Sequence, residues 1–180
     1  MKSRPLVFNG FLVLLALTLA AGCGTTEERQ RKKDLSTLRI HLESDQRSEF
    51  ASAISVYRTA PMRLNIEREP VLDETQVIGA LLVEQPVGFG VEVKFNRQGS
   101  WILEKLSVTG KGRHLAIFSH FGPARWLAAP VIEGKNQSGQ LIFTPDATRE
   151  EAERFVRGLN NAARKMESKE NWPFRAPVEK

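Results

Sequence analysis

The stretch Thr37-Leu-Arg-Ile-His-Leu-Glu43 alternates strictly between apolar and polar residues. Successive side chains of a β-strand point to opposite faces of a sheet, so Leu38, Ile40 and Leu42 share one face. The polar and charged residues fall on the other face, which is the pattern of a strand with one buried and one solvated side. This stretch therefore predicts a strand that covers the core of the protein with one face only.

Similar strand patterns recur along the chain, separated by turn residues. A break at Ala60-Pro61 separates two of these strands, and Pro86-Val-Gly88 predicts a hairpin turn between two others. Residues 133–139 form a polar loop that contains two glycines. The further predicted strands are Ile54–Arg58, Met62–Arg68, Leu81–Gln85, Phe89–Phe95, His114–Ser119, Arg125–Ala129 and Gln140–Phe143.

The clearest helix signal lies near the C-terminus. Thr148-x-x-Glu151 is a capping box, and apolar side chains recur after it at helical spacing as far as Met166. A shorter helix is predicted to start at Asp73, and Gln98–Val108 is amphipathic.

Strands mixed with two or three helices, without strict strand–helix–strand alternation, indicate an α+β fold. We expect a single two-layer domain over residues 37–166, in which a mostly antiparallel sheet is packed by these helices. Pro173 and Pro177 oppose helix continuation, so residues 167–180 are predicted to be extended or disordered.

The composition limits the classes of function. The chain carries 26 basic and 21 acidic residues, and two of the basic ones, Lys2 and Arg4, lie in an N-terminal leader. The remaining excess of three positive charges is too weak to predict nucleic-acid binding, which needs a concentrated basic face. One cysteine excludes an internal disulfide framework and a cluster of thiolate metal ligands within one chain.

Residues 1–22 follow the order of an export signal. Lys2 and Arg4 form a positive start, Leu6–Leu19 is an apolar run, and small residues follow it. The apolar run with these small residues is marginal in length for a membrane-spanning helix of roughly 20 residues. We therefore predict that this segment is a signal peptide.

Leu19-Ala-Ala-Gly-Cys23 resembles the lipobox of bacterial lipoproteins. The resemblance implies cleavage before Cys23 and attachment of a diacylglyceryl group, such as one carrying palmitate, to the Cys23 thiol. Two or three acyl chains anchor a protein stably to a membrane, whereas one does not. Residues 23–36 would then be the lipidated cysteine and a flexible polar tether. Gly24 stands where an Asp signals retention in the inner membrane, so the outer membrane is favoured over the inner one.

Six short motifs follow one another along the chain: Val71-Leu-Asp-Glu-Thr-Gln-Val77, Phe89-Gly-Val-Glu-Val-Lys-Phe95, Gly112-Arg-His-Leu-Ala-Ile117, Ala129-Pro-Val-Ile132, Gly139-Gln-Leu-Ile-Phe-Thr144 and Thr148-Arg-Glu-Glu-Ala152. In this order they resemble the head subdomain of the large periplasmic domain of SecD, a subunit of the protein-export translocase. The likeness covers roughly residues 62–165. It departs from SecD at residues 119–126, which replace the tight turn usual between two strands.

The resemblance implies an α+β module outside the membrane that engages translocating polypeptide. The SecD head is driven by a transmembrane part coupled to proton flow. We find neither the spanning helices nor the intramembrane acids of that part in this sequence, so the chain is not expected to act as a proton-driven motor by itself.

No arrangement of residues predicts catalysis or metal binding. His114 and His120 could share one side of a strand, but no spacing motif supplies a third ligand, and His41 stands apart. Ser119 beside His120 lacks the turn and the oxyanion glycines of a nucleophile–base pair. We predict no catalytic residue, no metal and no cofactor.

The segment Ser119–Trp126 is the most suggestive surface in the sequence. It gathers Phe121, Arg125 and Trp126, and aromatic and arginine side chains are typical interface anchors. We therefore hypothesise that these three residues contact a partner polypeptide. Trp126 could instead belong to the core, because it shares a strand face with Ala128.

The sequence thus favours a non-enzymatic, lipid-anchored protein of the cell envelope with a polypeptide-binding or export-accessory module. Its expected partners are the membrane, through the anchor, and translocase subunits or exported polypeptides. One alternative is a structural envelope-assembly lipoprotein that binds no client. Another is an uncharacterised hydrolase that uses His120 with an unrecognised acid.

Overall fold

The structure is a computed structural model that describes residues 26–45 and 48–170. The predicted signal peptide 1–22, Cys23 and the last ten residues lie outside this part of the chain. Its elements in chain order are α1 Thr26–Arg31, β1 Thr37–Leu42, β2 Ala51–Val56, β3 Met62–Glu67, β4 Leu72–Asp73, a 3₁₀ turn Glu74–Gln76, β5 Val77–Glu84, β6 Phe89–Phe95, α2 Arg97–Thr109, β7 Leu115–His120, β8 Ala124–Ala128, β9 Gln140–Phe143 and α3 Arg149–Glu170.

The strands form two antiparallel sheets and one hairpin. The first sheet has four strands in the order β4-β1-β7-β8, and the second has three in the order β5-β6-β9. Strands β2 and β3 pair with each other as a separate hairpin. The α+β prediction with a mostly antiparallel arrangement is confirmed, but the strands divide into more than one sheet.

The main core lies between the two sheets and the helices α2 and α3. The alternating face of β1 is fully buried there, as Leu38 and Ile40 have no exposed surface. The second sheet contributes Val91 and Val93, and α3 contributes Phe155. Burying a side chain of this size stabilises the fold by ~1.5–3 kcal/mol.

The sequence pattern predicted that the other face of β1 is solvated. In the structure, part of that face is buried. The β2–β3 hairpin packs over the first sheet, where a second apolar cluster contains Leu64, Ile66 and Ala116. His41 is only 7% exposed, and its Nδ1 lies 2.8 Å from the carbonyl oxygen of Glu67. The hairpin therefore gives the first sheet two buried faces at this point.

Helix α3 begins at the predicted capping box. Glu151 accepts a hydrogen bond from the Thr148 backbone N–H at 2.9 Å, and its own N–H donates to Thr148 Oγ1 at 3.2 Å. The helix runs to Glu170 and so takes in the first four residues of the segment predicted to be extended. These residues, Glu167-Ser-Lys-Glu170, are compatible with a helix, and the first proline comes only at position 173.

Two stretches of the predicted tether, residues 23–36, have defined structure, and its flexibility stays a prediction. Thr26–Arg31 is a short helix, whose sequence consists mostly of good helix formers with basic residues in its last turn. Asp34 binds α3 through Arg157, whose guanidinium nitrogen lies 3.3 Å from the carboxylate, and Ser36 is buried.

Among the described residues, no helix is both long enough and apolar enough to cross a membrane.

Candidate functional site

Phe121, predicted to be an interface anchor, points into the protein. It is 5% exposed, and its ring meets the edge of Phe155 on α3 at a centroid distance of 5.9 Å. The Arg125 guanidinium lies 5.3 Å from the centroid of the same ring. The sequence did not reveal this, because only the fold shows that α3 passes beside the loop.

Arg125 joins a cluster of charges that ties three elements together. Its guanidinium lies 2.8 Å from the Glu151 carboxylate, which also lies 3.7 Å from Arg58. Arg58 is in turn 3.2 Å from Asp146. The hydrogen bond from Arg125 and that from the Thr148 backbone lower the pKa of Glu151 below its ordinary value. The cluster fastens the end of the β2–β3 hairpin to β8 and to the start of α3.

Trp126 packs internally as well. The centroid of its ring lies 5.2 Å from that of Phe118 and 5.4 Å from that of His41. The ring also packs against the second apolar cluster, which lies beneath the β2–β3 hairpin. The core alternative for Trp126 therefore fits the structure. Partner binding by Phe121, Arg125 and Trp126 stays a prediction, and all three side chains are engaged in internal contacts.

The histidines do not come together. His114 Nδ1 lies 2.7 Å from Glu43, and His41 lies beneath the β2–β3 hairpin. Burial raises the pKa of Glu43, but hydrogen bonds from His114 and the charges of His114 and Arg113 outweigh it and lower that pKa overall. His120 is exposed at the end of β7, and within the described residues no acidic side chain bonds its ring. Among those same residues, no group of three or more His, Cys, Asp or Glu side chains is placed to hold a metal ion.

A groove of about 940 Å³ opens between α2, β9 and the loop of residues 130–138. Its volume lies within the usual range of ligand sites, roughly 300–1,000 Å³. Leu103, Leu115 and Leu141 form its apolar floor, and Val131 and Ile142 stand at its rim, where they are 46% and 48% exposed. Exposed aliphatic side chains beside an apolar floor are suited to an apolar ligand segment.

Hydrogen bonds to α2 fix the loop that forms one wall of the groove. Lys135 Nζ and Gln137 Nε2 each lie 3.1 Å from Glu104 Oε1. The backbone N–H of Asn136 donates to Ser107 Oγ at 2.8 Å. The hydrogen bonds from Lys135 and Gln137 lower the pKa of Glu104. Contacts within the chain thus hold the wall in place, so the groove is preformed.

The sequence predicts this wall only as a polar loop. The usable signal was Asn136-x-Ser138, in which the Asn136 side-chain oxygen accepts from the Ser138 N–H at 3.1 Å and so organises the turn. Gly139 follows with a φ of +67°, and a side chain there would also collide with Ser100 on α2. The position therefore requires glycine.

Comparison with known proteins supports the fold. No family model matches the sequence, and no curated protein is significantly similar to it. A solved structure of SecDF, described as a membrane component that enhances protein export, matches with a TM-score of 0.54 and 16% identity over 78% of this chain and 70% of that chain.

A second structure, SecDF in a super-membrane-facing form, matches with a TM-score of 0.55 and 16% identity over 76% of this chain. The match covers only 21% of that longer chain. Identity at this level supports similarity of fold alone. The described part of the chain therefore has a SecD-like fold, which confirms the resemblance drawn from its sequence motifs.

Proposed function

We propose that this protein is a lipid-anchored accessory of protein export that binds extended segments of other polypeptides and catalyses no reaction. The observation that carries the proposal is the preformed groove between α2, β9 and residues 130–138, on a fold shared with SecDF. SecDF itself is described as enhancing protein export.

The lining of the groove suits polypeptide better than a small polar substrate. Its floor is made of leucines, and its wall presents backbone and amide groups from residues 133–138. An unfolded chain offers both apolar side chains and backbone hydrogen-bonding groups, so it complements both parts of the groove. The charged cluster of Arg58, Arg125 and Glu151 lies elsewhere and is explained by packing.

Binding of a permanently unfolded protein tests this proposal. The full chain, solubilised in mild detergent, is titrated into fluorescently labelled, reduced and carboxymethylated α-lactalbumin, and binding is read by anisotropy. We expect saturable binding that Val131→Asp weakens at least tenfold, because the substitution puts a charge at the apolar rim. Val87→Asp is the matched control, since Val87 is 89% exposed in the β5–β6 turn and does not line the groove.

The second candidate is a structural envelope-assembly lipoprotein without client binding. The internal engagement of Phe121, Arg125 and Trp126 favours it, because these side chains stabilise the domain itself. Absence of saturable binding in the same titration would support this candidate against polypeptide binding.

The proposed anchor is tested separately. We expect Cys23→Ser to abolish incorporation of labelled palmitate and to shift the protein from the membrane fraction to the soluble envelope fraction. We also propose that the wild-type protein lies in the outer membrane. Separation of inner and outer membranes on a density gradient tests this location. An unlabelled wild-type protein would contradict lipidation at Cys23.

A further inference from the structure

Strand β9 forms one edge of the second sheet, and the ladder shows which of its backbone groups face outward. The Phe95 N–H donates to the Gly139 carbonyl at 3.0 Å, and Val93 pairs with Leu141 further along. Hydrogen-bonded pairs alternate along an antiparallel ladder, so Leu141 and Phe143 direct their backbone groups toward β6. The N–H and C=O groups of Gln140 and Ile142 therefore point away from the sheet.

The outward groups of Gln140 are already satisfied. Its N–H donates to Ser138 Oγ at 3.2 Å, and its carbonyl accepts from Asn136 Nδ2 at 2.7 Å. These bonds confirm the alternation and show that the loop closes the edge at this residue. An edge strand with unpaired backbone groups is a template for pairing, so such closure limits where another strand can add.

Ile142, two residues further on, has no such cover. Within residues 26–45 and 48–170, no hydrogen bond to its outward N–H or C=O is found. Its side chain is 48% exposed, and the residue lines the groove. The open part of the edge thus adjoins the apolar floor, and a single bound segment could use both.

The charges of the groove favour a basic occupant. Two charged residues line it, Glu133 and Lys135. Lys135 is paired with Glu104 at 3.1 Å, whereas Glu133 is exposed and has no ion-pair partner in the described part of the chain. The unbalanced charge at the rim is therefore negative and complements lysine or arginine side chains.

We propose that an extended polypeptide segment with alternating apolar and basic residues adds to β9 as a further antiparallel strand, pairing with the backbone of Ile142. Its apolar side chains would contact the leucine floor, and a basic side chain would approach Glu133. This inference rests on the proposed polypeptide binding and assigns it a mode, in which backbone hydrogen bonds supply affinity and alternate side chains supply selectivity.

The test uses the full chain and an amidated nine-residue peptide of alternating valine and lysine. Ile142→Pro removes the outward N–H while leaving the pairing to β6 intact, since proline is tolerated on an edge strand when its nitrogen faces outward. We expect this substitution to weaken peptide binding at least tenfold, and the matched control Ile142→Val to change it less than twofold. Circular dichroism checks that both variants remain folded.

A second measurement leaves the protein unchanged. The same peptide carrying N-methyl groups on alternate residues cannot donate along one edge, and we expect it to bind the wild type at least tenfold more weakly. A valine–glutamate peptide should also bind more weakly than the valine–lysine peptide. Equal binding of the N-methylated and parent peptides would overturn strand addition.

The outcomes separate this inference from the proposed function. If carboxymethylated α-lactalbumin fails to bind the wild type, polypeptide binding itself fails. If it binds but N-methylation of the peptide has no effect, only strand addition fails. A concentration-dependent dimer that Ile142→Pro abolishes, with peptide affinity unchanged, would overturn the inference in favour of a second copy of this chain at β9.

Discussion

The two edges of the second sheet are both closed by asparagine side chains, but to different extents. On β5, Asn160 of α3 accepts from the Ala80 N–H at 2.8 Å and donates to the Ala80 carbonyl at 2.9 Å, so one amide replaces a neighbouring strand. On β9, Asn136 and Ser138 close Gln140 only, and Ile142 stays open. The comparison shows that a sheet edge can be closed one residue at a time.

The elements that carry the two asparagines explain the difference. Helix α3 has 22 residues and packs along β5, so it covers the edge with a rigid apolar face as well as with Asn160. The loop that carries Asn136 turns back immediately before β9 and cannot extend beside it. One edge is thus covered by a helix, and the other borders a groove.

Removal of the β5 closure should have the largest effect. Asn160→Ala leaves both the N–H and the C=O of Ala80, which are half-buried, without partners. We expect it to lower the free energy of unfolding by about 2–4 kcal/mol, because each of the two groups costs ~1–2 kcal/mol, the lower part of the range for an unsatisfied buried group. Urea unfolding followed by circular dichroism measures the loss. A change below the error of that measurement would show that water satisfies Ala80 and that this edge is not closed by burial.

A substitution that displaces α3 should cause the next largest loss in the free energy of unfolding. A Cβ atom on Gly158 would lie 2.8 Å from the backbone nitrogen of Ser36, so Gly158→Ala must push the helix away from β1 and loosen Asn160. We expect a loss of about 1–3 kcal/mol in the same urea experiment. Gly134→Ala is the matched control, because a Cβ atom there meets no atom within 4 Å. Equal stabilities of the two variants would contradict the close contact.

The same substitution on the open edge should have a smaller effect. Asn136→Ala removes the donor to a single backbone group, the Gln140 carbonyl, whereas Asn160→Ala removes the partners of two, so we expect a loss of about 1 kcal/mol or less. The amide of Ser138, bonded to the Asn136 side chain, should then exchange faster with deuterium, while that of Ala80 should be unaffected. A loss as large as that of Asn160→Ala would mean that both edges are closed equally.

The smallest expected effect is a pH dependence of the free energy of unfolding, and it arises from His41 in the first sheet. Burial, opposed by the hydrogen bond to Glu67 and assisted by the charge of Arg39, lowers the pKa of His41 below 6.5. The unfolded state then binds a proton more readily, so the folded state loses stability as the pH falls from about 6.5. We expect a smaller loss between pH 7.5 and 5.5 in His41→Gln. An identical pH dependence in the two proteins would contradict this assignment.

Local patterns predicted much of the fold. The alternation around Ile40 gave a buried strand, and α3 begins at the predicted capping box. The helix start predicted at Asp73 occurs as a capped 3₁₀ turn, in which the Asp73 N–H donates to Gln76 at 2.8 Å. These features depend on residues within a few positions of one another, where periodicity and capping chemistry act directly. The SecD-like order of the motifs supplied the overall architecture.

Three features could be recognised only from the tertiary structure. His41 has the spacing of a solvent-facing residue and is buried because a hairpin from elsewhere in the chain covers it. Phe121 has the composition of an interface anchor and packs on Phe155. The groove depends on contacts between Asn136 and Ser107, which are 29 residues apart. No local pattern reports such distant contacts.

The attachment of Asp34 to α3 has a mechanical consequence. The chain enters the domain through an ion pair of Asp34 with Arg157 and a hydrogen bond from Asn161 to the Asp34 carbonyl at 3.0 Å. A pulling force on the residues before Asp34 would therefore act on the middle of α3 before it acted on β1. Because α3 also closes β5, a pull on the N-terminal segment would act first on the closed edge of the sheet, opposite the edge that borders the groove.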